Sequence, residues 1–223
     1  MKLASLRGGG PDGTLLVVSR DLSRARQVAD IAPTMQQALE SWERVEPQLR
    51  QVYTRLNADV ASGFDLDHRQ LAAPLPRCYQ WLDGSAYLPH VRRVRQARGA
   101  ELPEQLLTDP LMYQGCGDQM LGPQDPIPLV DEAWGLDFES EVGVITDAVS
   151  MGVDREKARY HIMLLVLIND ISLRNLIPAE LAKGFGFLQG KPASALSPVA
   201  VTPDELGAAW DGGRLHLPLR TRL

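Results

Sequence analysis

The alternation of apolar and polar positions marks out a short hairpin at the front of the chain. The runs MKLASL and TLLVVS (Thr14 to Ser19) read as strands, and the stretch Gly8 to Gly13, GGGPDG, is a strong turn signal between them. Thr34 and Gln37 stand at capping-box spacing, which predicts a helix from there to about Val45. Pro47 then opens a second helical stretch reaching Leu56, with Leu49, Val52, Tyr53 and Leu56 on one face. Pro74 and Pro76 close this part, and a domain boundary is expected near residue 75.

The pattern changes after that point. Ser85 to Arg98 reads as a helix whose apolar positions are Ala86, Leu88, Val91, Val94 and Ala97, stopped by Gly99. Residues 110 to 128, rich in Gly, Pro and Gln, read as a long loop. Strands are expected from Trp134 to Thr146 and from Ile162 to Ser172, with a short helix between them at Asp154 to Tyr160. The run Ile162 to Ile168 is apolar on both parities, which predicts a strand buried on both faces. Residues 176 to 198 read as irregular, and long loops in compact domains are often functional. Thr202 and Pro203 read as an N-cap followed by Pro at the first helical position, and Leu215 to Leu219 as a last strand. Strands outnumber helices in this part without alternating with them, so the fold class is α+β, mainly β.

Composition narrows the function classes. The chain has 223 residues, 44% apolar, and a net charge of −5 with no block of like charge, which argues against a nucleic-acid surface. Two cysteines far apart, Cys78 and Cys116, fit a reduced, cytoplasmic protein. The longest apolar run is too short to span a bilayer, so no membrane partner is expected, and the first residues carry no signal-peptide pattern.

Chemistry concentrates in acids. In Gly135 to Ile145, GLDFESEVGVI, one parity carries Asp137, Glu139, Glu141 and Gly143. Residues two apart on a strand project from one face roughly 6.6 Å apart. Two readings fit: an amphipathic strand with its acids in water, or Glu139 and Glu141 turned toward one hard divalent cation, which prefers oxygen ligands. Asp170 sits between two apolar blocks, where a carboxylate is costly unless it is paired or metal-bound. Pairing with Arg174 at a strand end is the alternative. His90, seven residues after Asp83, is either a general base or an exposed helical histidine. Lys191, read alone, is a surface lysine. His68, His161 and His216 have no acidic setting visible in the sequence, and no GxSxG, P-loop or GxGxxG is present.

Asp83 followed by His90, the Glu139-Ser140-Glu141 strand, Asn169-Asp170 with Arg174, and Gly190-Lys191 before Ser197-Pro198 occur in one order. Together they resemble the fumarylacetoacetate hydrolase family over residues 75 to 210, and the front unit is similar to the small N-terminal domain many members carry. The resemblance implies a mixed β-roll/sandwich catalytic domain at 76–223 behind a small α+β domain at 1–75. It implies Asp83, Glu139, Glu141 and Asp170 as ligands for Mg²⁺ or Ca²⁺, His90 as the base that activates water, Lys191 and Arg174 as stabilisers of a developing anion, and Tyr113 as a substrate contact. The implied activity is metal-dependent hydrolysis of a C–C bond in 1,3-dicarbonyl substrates such as fumarylacetoacetate or acylpyruvates. Hydratase, decarboxylase or isomerase chemistry on 2-keto acids, or an impaired, truncated member, is the alternative. A homodimer is expected. Relative to the family the C-terminal third is expected to be missing, with the glutamate that orients the catalytic histidine, and Ile177 stands where many members carry a substrate-binding glutamine.

Overall fold

The computed structural model describes residues 1–85, 87–97, 99, 101–102 and 104–222. The expected hairpin forms from β1 (Lys2–Leu6) and β2 (Thr14–Val18), paired antiparallel with Leu6 opposite Thr14. The turn between them takes positive φ at Gly8, Gly9, Gly10 and Gly13, a conformation open to glycine at little cost. A third strand, β3 (Arg24–Gln27), and a two-residue β4 (Phe64–Asp65) extend it; their short, polar sequences hide them from a pattern reading.

Helix α1 (Met35–Leu39) begins as predicted, with the Gln37 amide donating to the Thr34 hydroxyl at 3.2 Å. It ends early, and α2 (Trp42–Ala58) runs straight through Pro47 instead of starting there. The carbonyl that Pro47 leaves without its usual donor belongs to Glu43, in the first turn. Burial of Val45, Leu49, Tyr53 and Leu56 along one stripe outweighs that single bond.

Strand β5 (Trp81–Gly84) pairs with β6 (Met112–Gly115), so an expected loop contains a strand. Between them lies α3 (Leu88–Ala97); Ala86 and Arg98, which the sequence reading placed in this helix, lie outside the described residues. The expected strand at 134–146 is broken into β7 (Leu136–Asp137) and β8 (Ser140–Thr146). Helix α4 (Arg155–Ala158) precedes β9 (Ile162–Asn169), and β10 (Ser172–Leu173) is separate from β9. The segment read as irregular holds α5 (Ile177–Leu181) and β11 (Ala195–Leu196). After β12 (Ala200–Val201) the chain makes a 3-10 turn at Pro203–Ala209, with no capping bond from Thr202. Leu215 to Leu219 is not a strand; only Leu215 bridges Trp210.

Eight strands form one antiparallel sheet. β8 and the β11–β12 stretch flank β9 on opposite edges, and β12 leads on to β1, β2, β3 and β4. Strands from either side of residue 75 thus share the sheet. The α2 stripe packs on one face with Leu3, Leu15, Val17, Leu164, Val166 and Ile168. The other face holds a smaller cluster of Ala4, Leu16, Val18, Ala25 and Leu71. β9 is not covered throughout, because Leu167 is 51% exposed on the face opposite Leu164.

Two leucines on one strand therefore separate core from surface. Leu164→Ala removes a fully buried side chain and is expected to cost about 2–5 kcal/mol, whereas Leu167→Ala is expected to stay within about 1 kcal/mol. Urea unfolding of the two variants checks this; equal losses would show that the exposed face is covered in solution.

Candidate active site

The site is assembled where β9 runs out. After Asn169 the backbone leaves the ladder, and Asp170, with no exposed surface, turns inward. Its Oδ2 accepts from Tyr113 Oη at 2.5 Å and from Lys191 Nζ at 2.7 Å, and its Oδ1 from Ser194 Oγ at 2.9 Å. Asp83 reaches the same place from the β5–β6 ribbon, directly opposite Tyr113 in register. Glu141 comes from β8, opposite Ile168 and therefore on the same sheet face as that core side chain. One carboxylate oxygen each from Asp83, Glu141 and Asp170 lie within 4.8 Å of one another.

Glu139 departs from the expected four-acid set. The single strand that would have aimed it alongside Glu141 is interrupted: the Asn169 side-chain oxygen accepts from the Glu139 amide at 3.1 Å, and the Glu139 carbonyl accepts from the Asp170 amide at 2.9 Å. The Glu139 carboxylate is taken by Lys191 Nζ at 2.8 Å and by the Arg174 guanidinium, whose Nε also donates to Asp137 at 2.7 Å. Arg174 therefore pairs with Glu139 and Asp137, not with Asp170 as the strand-end alternative had it. Lys191 is buried, so the surface reading of that residue is overturned. His90, on α3, is half-exposed, with Nε2 3.8 Å from Glu139 Oε1.

Five carboxylates thus face two permanent cations, and the excess falls on Asp83 and Glu141. Burial, then repulsion from Asp83, Asp170 and Glu139, pushes Glu141 up to about 7. Burial and Asp170 also raise Asp83. Burial and Asp170 hold the Tyr113 hydroxyl far above its ordinary range, which keeps it a donor. Burial alone would lower the Lys191 ammonium; Asp170 and Glu139 outweigh it and hold it charged. Three converging hard oxygens, two of them on carboxylates with no cation of their own among the described residues, fit a divalent cation of the Mg²⁺, Ca²⁺ or Mn²⁺ type.

Sequence reasoning missed several participants. Ser194 carries no motif, and Asn169, named beside Asp170 in the ordered set, was given no role of its own although its side chain holds the Glu139 amide. Phe187 stacks edge-on against Tyr113, with centroids 5.0 Å apart, from a segment read as shapeless. His161 and His216, read as lacking acids, pair with Asp147 at 2.5 Å and Asp211 at 3.0 Å. Both cysteines are free. Among the described residues no helix is long and apolar enough to cross a membrane.

The fold is that of the fumarylacetoacetate hydrolase family. Residues 80–223 match the family described as Fumarylacetoacetate (FAA) hydrolase C-terminal, and residues 1–77 match Fumarylacetoacetase N-terminal domain 2; the chain belongs to this family. A 2,4-didehydro-3-deoxy-L-rhamnonate hydrolase from Sphingomonas sp. (strain SKA58) is 30% identical over 107 residues, which cover 47% of this chain and only 36% of that protein. The fold matches fumarylacetoacetate hydrolase from Exiguobacterium antarcticum, with TM-score 0.60, 20% identity, and 95% of this chain and 68% of that one covered. It also matches maleylpyruvate hydrolase from Sphingobium sp. SYK-6, solved with manganese(II) and pyruvate, with TM-score 0.58, 16% identity, and coverage of 92% and 68%.

The raised Glu141 carboxyl fixes the sign of a pH effect. Its folded value lies above its unfolded one, so it favours the folded state below about pH 4.5, and that contribution is lost as pH rises through about 7. Thermal denaturation without divalent cation is expected to show this loss between pH 5 and 8 (about one Glu141-sized step), absent in Glu141→Gln and removed by excess Mn²⁺. A Glu141→Gln profile that overlays the wild type would show that the carboxyls are not crowded in solution.

Proposed function

We propose that the chain is a divalent-metal-dependent hydrolase that cleaves a C–C bond in 1,3-dicarbonyl substrates such as acylpyruvates or fumarylacetoacetate. The observation that carries this is the convergence of Asp83, Glu141 and Asp170 beside a buried lysine and a half-exposed histidine. The pyruvate and manganese bound by the maleylpyruvate hydrolase support the same class of substrate and ion.

Asp83, Glu141 and Asp170 would hold the cation, with Glu139 next to them. The cation, Mg²⁺, Ca²⁺ or Mn²⁺, supplies Lewis-acid polarisation of the substrate's carbonyls when bound. His90 takes a proton from water, and the hydroxide oxygen bonds to one carbonyl carbon. The bond from that carbon to its neighbour breaks, its electron pair passes into an enolate, and the histidine proton returns to the enolate carbon. Products are two carbonyl-containing fragments, one of them a carboxylate. Lys191 and Arg174 offset the negative charge that builds on oxygen in this step, where preorganised charge is most effective. Tyr113, kept protonated by Asp170, donates a hydrogen bond at the edge of the same site.

Steady-state turnover of an acylpyruvate tests the reading. Activity is expected to vanish with chelator and return with Mg²⁺ or Mn²⁺. His90→Ala is expected to lower kcat by about 10²–10⁴-fold with cation affinity unchanged, and Glu141→Ala to abolish cation binding in calorimetry. Turnover indifferent to chelator would overturn the proposal. Recovery of an isomerised or decarboxylated keto acid would move the chain to the fold's other chemistries.

A further inference from the structure

Lys191 is buried between two carboxylates, yet residues 182–186 and 188–189, leading into it, are exposed and carry no regular structure after α5. Something must fix where this loop ends. Glu180, in the last turn of α5 where the loop departs, turns its carboxylate across the gap. Its Oε1 accepts from the amides of Leu188 at 3.1 Å and Gln189 at 2.6 Å, and its Oε2 from the amide of Gly190 at 2.9 Å. Three consecutive N–H groups aimed at one anion form a backbone nest, here filled by the chain's own side chain.

The next bond along completes the delivery. The Gly190 carbonyl accepts from the Leu173 amide at 2.9 Å, which ties the loop to β10 beside Asp170. Position 190 has no room for a side chain: a Cβ there would stand 2.7 Å from Glu180 Oε2 and 2.9 Å from Ile177 Cγ1. The glycine lets the backbone close on the carboxylate, and Lys191 then enters the site at the only residue following that closure. Burial works against Glu180, but the three amides hold its carboxyl below the usual range, so it is an anion when it does this.

We propose that Glu180 is the positioning residue that sets Lys191 against Asp170 and Glu139, by stapling the 182–190 loop at its closing end. This rests on the proposed function only for what Lys191 does once placed. The staple itself is a property of the fold.

Amine labelling followed by peptide mass spectrometry reads the placement directly, because Lys2, Lys157 and Lys183 serve as internal controls. In Glu180→Ala, labelling of Lys191 is expected to rise roughly tenfold over wild type with the other lysines unchanged, as local opening of one segment requires. Glu180→Gln keeps one acceptor oxygen and is expected to fall between. Lys191 staying as protected in Glu180→Ala as in wild type would overturn the proposal, and so would a rise shared by every lysine. A cycle on Mn²⁺ affinity adds the link to function: Glu180→Ala and Lys191→Met are expected to tighten binding by the same factor, and the double variant by no more than either. Independent, multiplying factors would overturn that link. Wild type that binds no Mn²⁺ while the labelling result holds would sink the metal reading and leave the staple standing.

Discussion

A fully buried carboxylate, Asp170, is the constraint around which the second half of the molecule is arranged. Taking one charge out of water costs several kcal/mol unless partners replace the solvent. No single neighbouring element can supply them. Tyr113 arrives from the β5–β6 ribbon, Lys191 from the end of an exposed loop, and Ser194 from the stretch that enters β11. Each of these segments is short and weak in intrinsic structure, and all three meet at that one carboxylate. Two-residue strands such as β10 and β11 make sense in this light, since they guide the chain past Asp170 more than they build a sheet.

Charge is distributed unevenly as a result. Lys191 is shared by Asp170 and Glu139, and Arg174 by Glu139 and Asp137, so these acids are compensated inside the protein. Asp83 and Glu141 are not, and they are the two whose carboxyls are driven upward. A site that left all its acids paired would have no use for a cation. One that left them all unpaired would not fold around them. The division between a paired and an unpaired set lets the cluster form while leaving carboxylate charge at Asp83 and Glu141 unmatched.

The sequence told of this fold wherever apolar side chains set the pattern. The β1–β2 hairpin, the stripe on α2 and the long β9 strand follow from alternation and spacing. It failed where polar side chains substitute for backbone. A period of two places Glu139 and Glu141 together, but the side chain of Asn169 caps the Glu139 amide and ends the alternation, and Glu139 pairs with Lys191 and Arg174 while Glu141 has no cation of its own among the described residues. Pro47 misled in the opposite direction, because a buried stripe outlasted one missing donor. Trp81-Leu82-Asp83-Gly84 and Met112-Tyr113-Gln114-Gly115 have no apolar period to read and become strands only by facing each other. Of the site, the acids were legible through the resemblance and the order of their motifs. The serine, the amide nest on Glu180 and the loop that carries Phe187 were not, since contacts between distant segments leave no local trace.

The position of His90 shows how the paired set bears on the chemistry. Its Nε2 stands 3.8 Å from Glu139, beyond a direct hydrogen bond but close enough to feel that charge. That carboxylate is itself held by Lys191 at Oε2 and by Arg174 at Oε1, the oxygen nearest the histidine. The same two cations that flank the acid cluster therefore also fix the carboxylate that faces the histidine. Loss of either changes the surroundings of Glu139 and His90 together, so the loop that delivers Lys191 has to end at a fixed place to supply one of them.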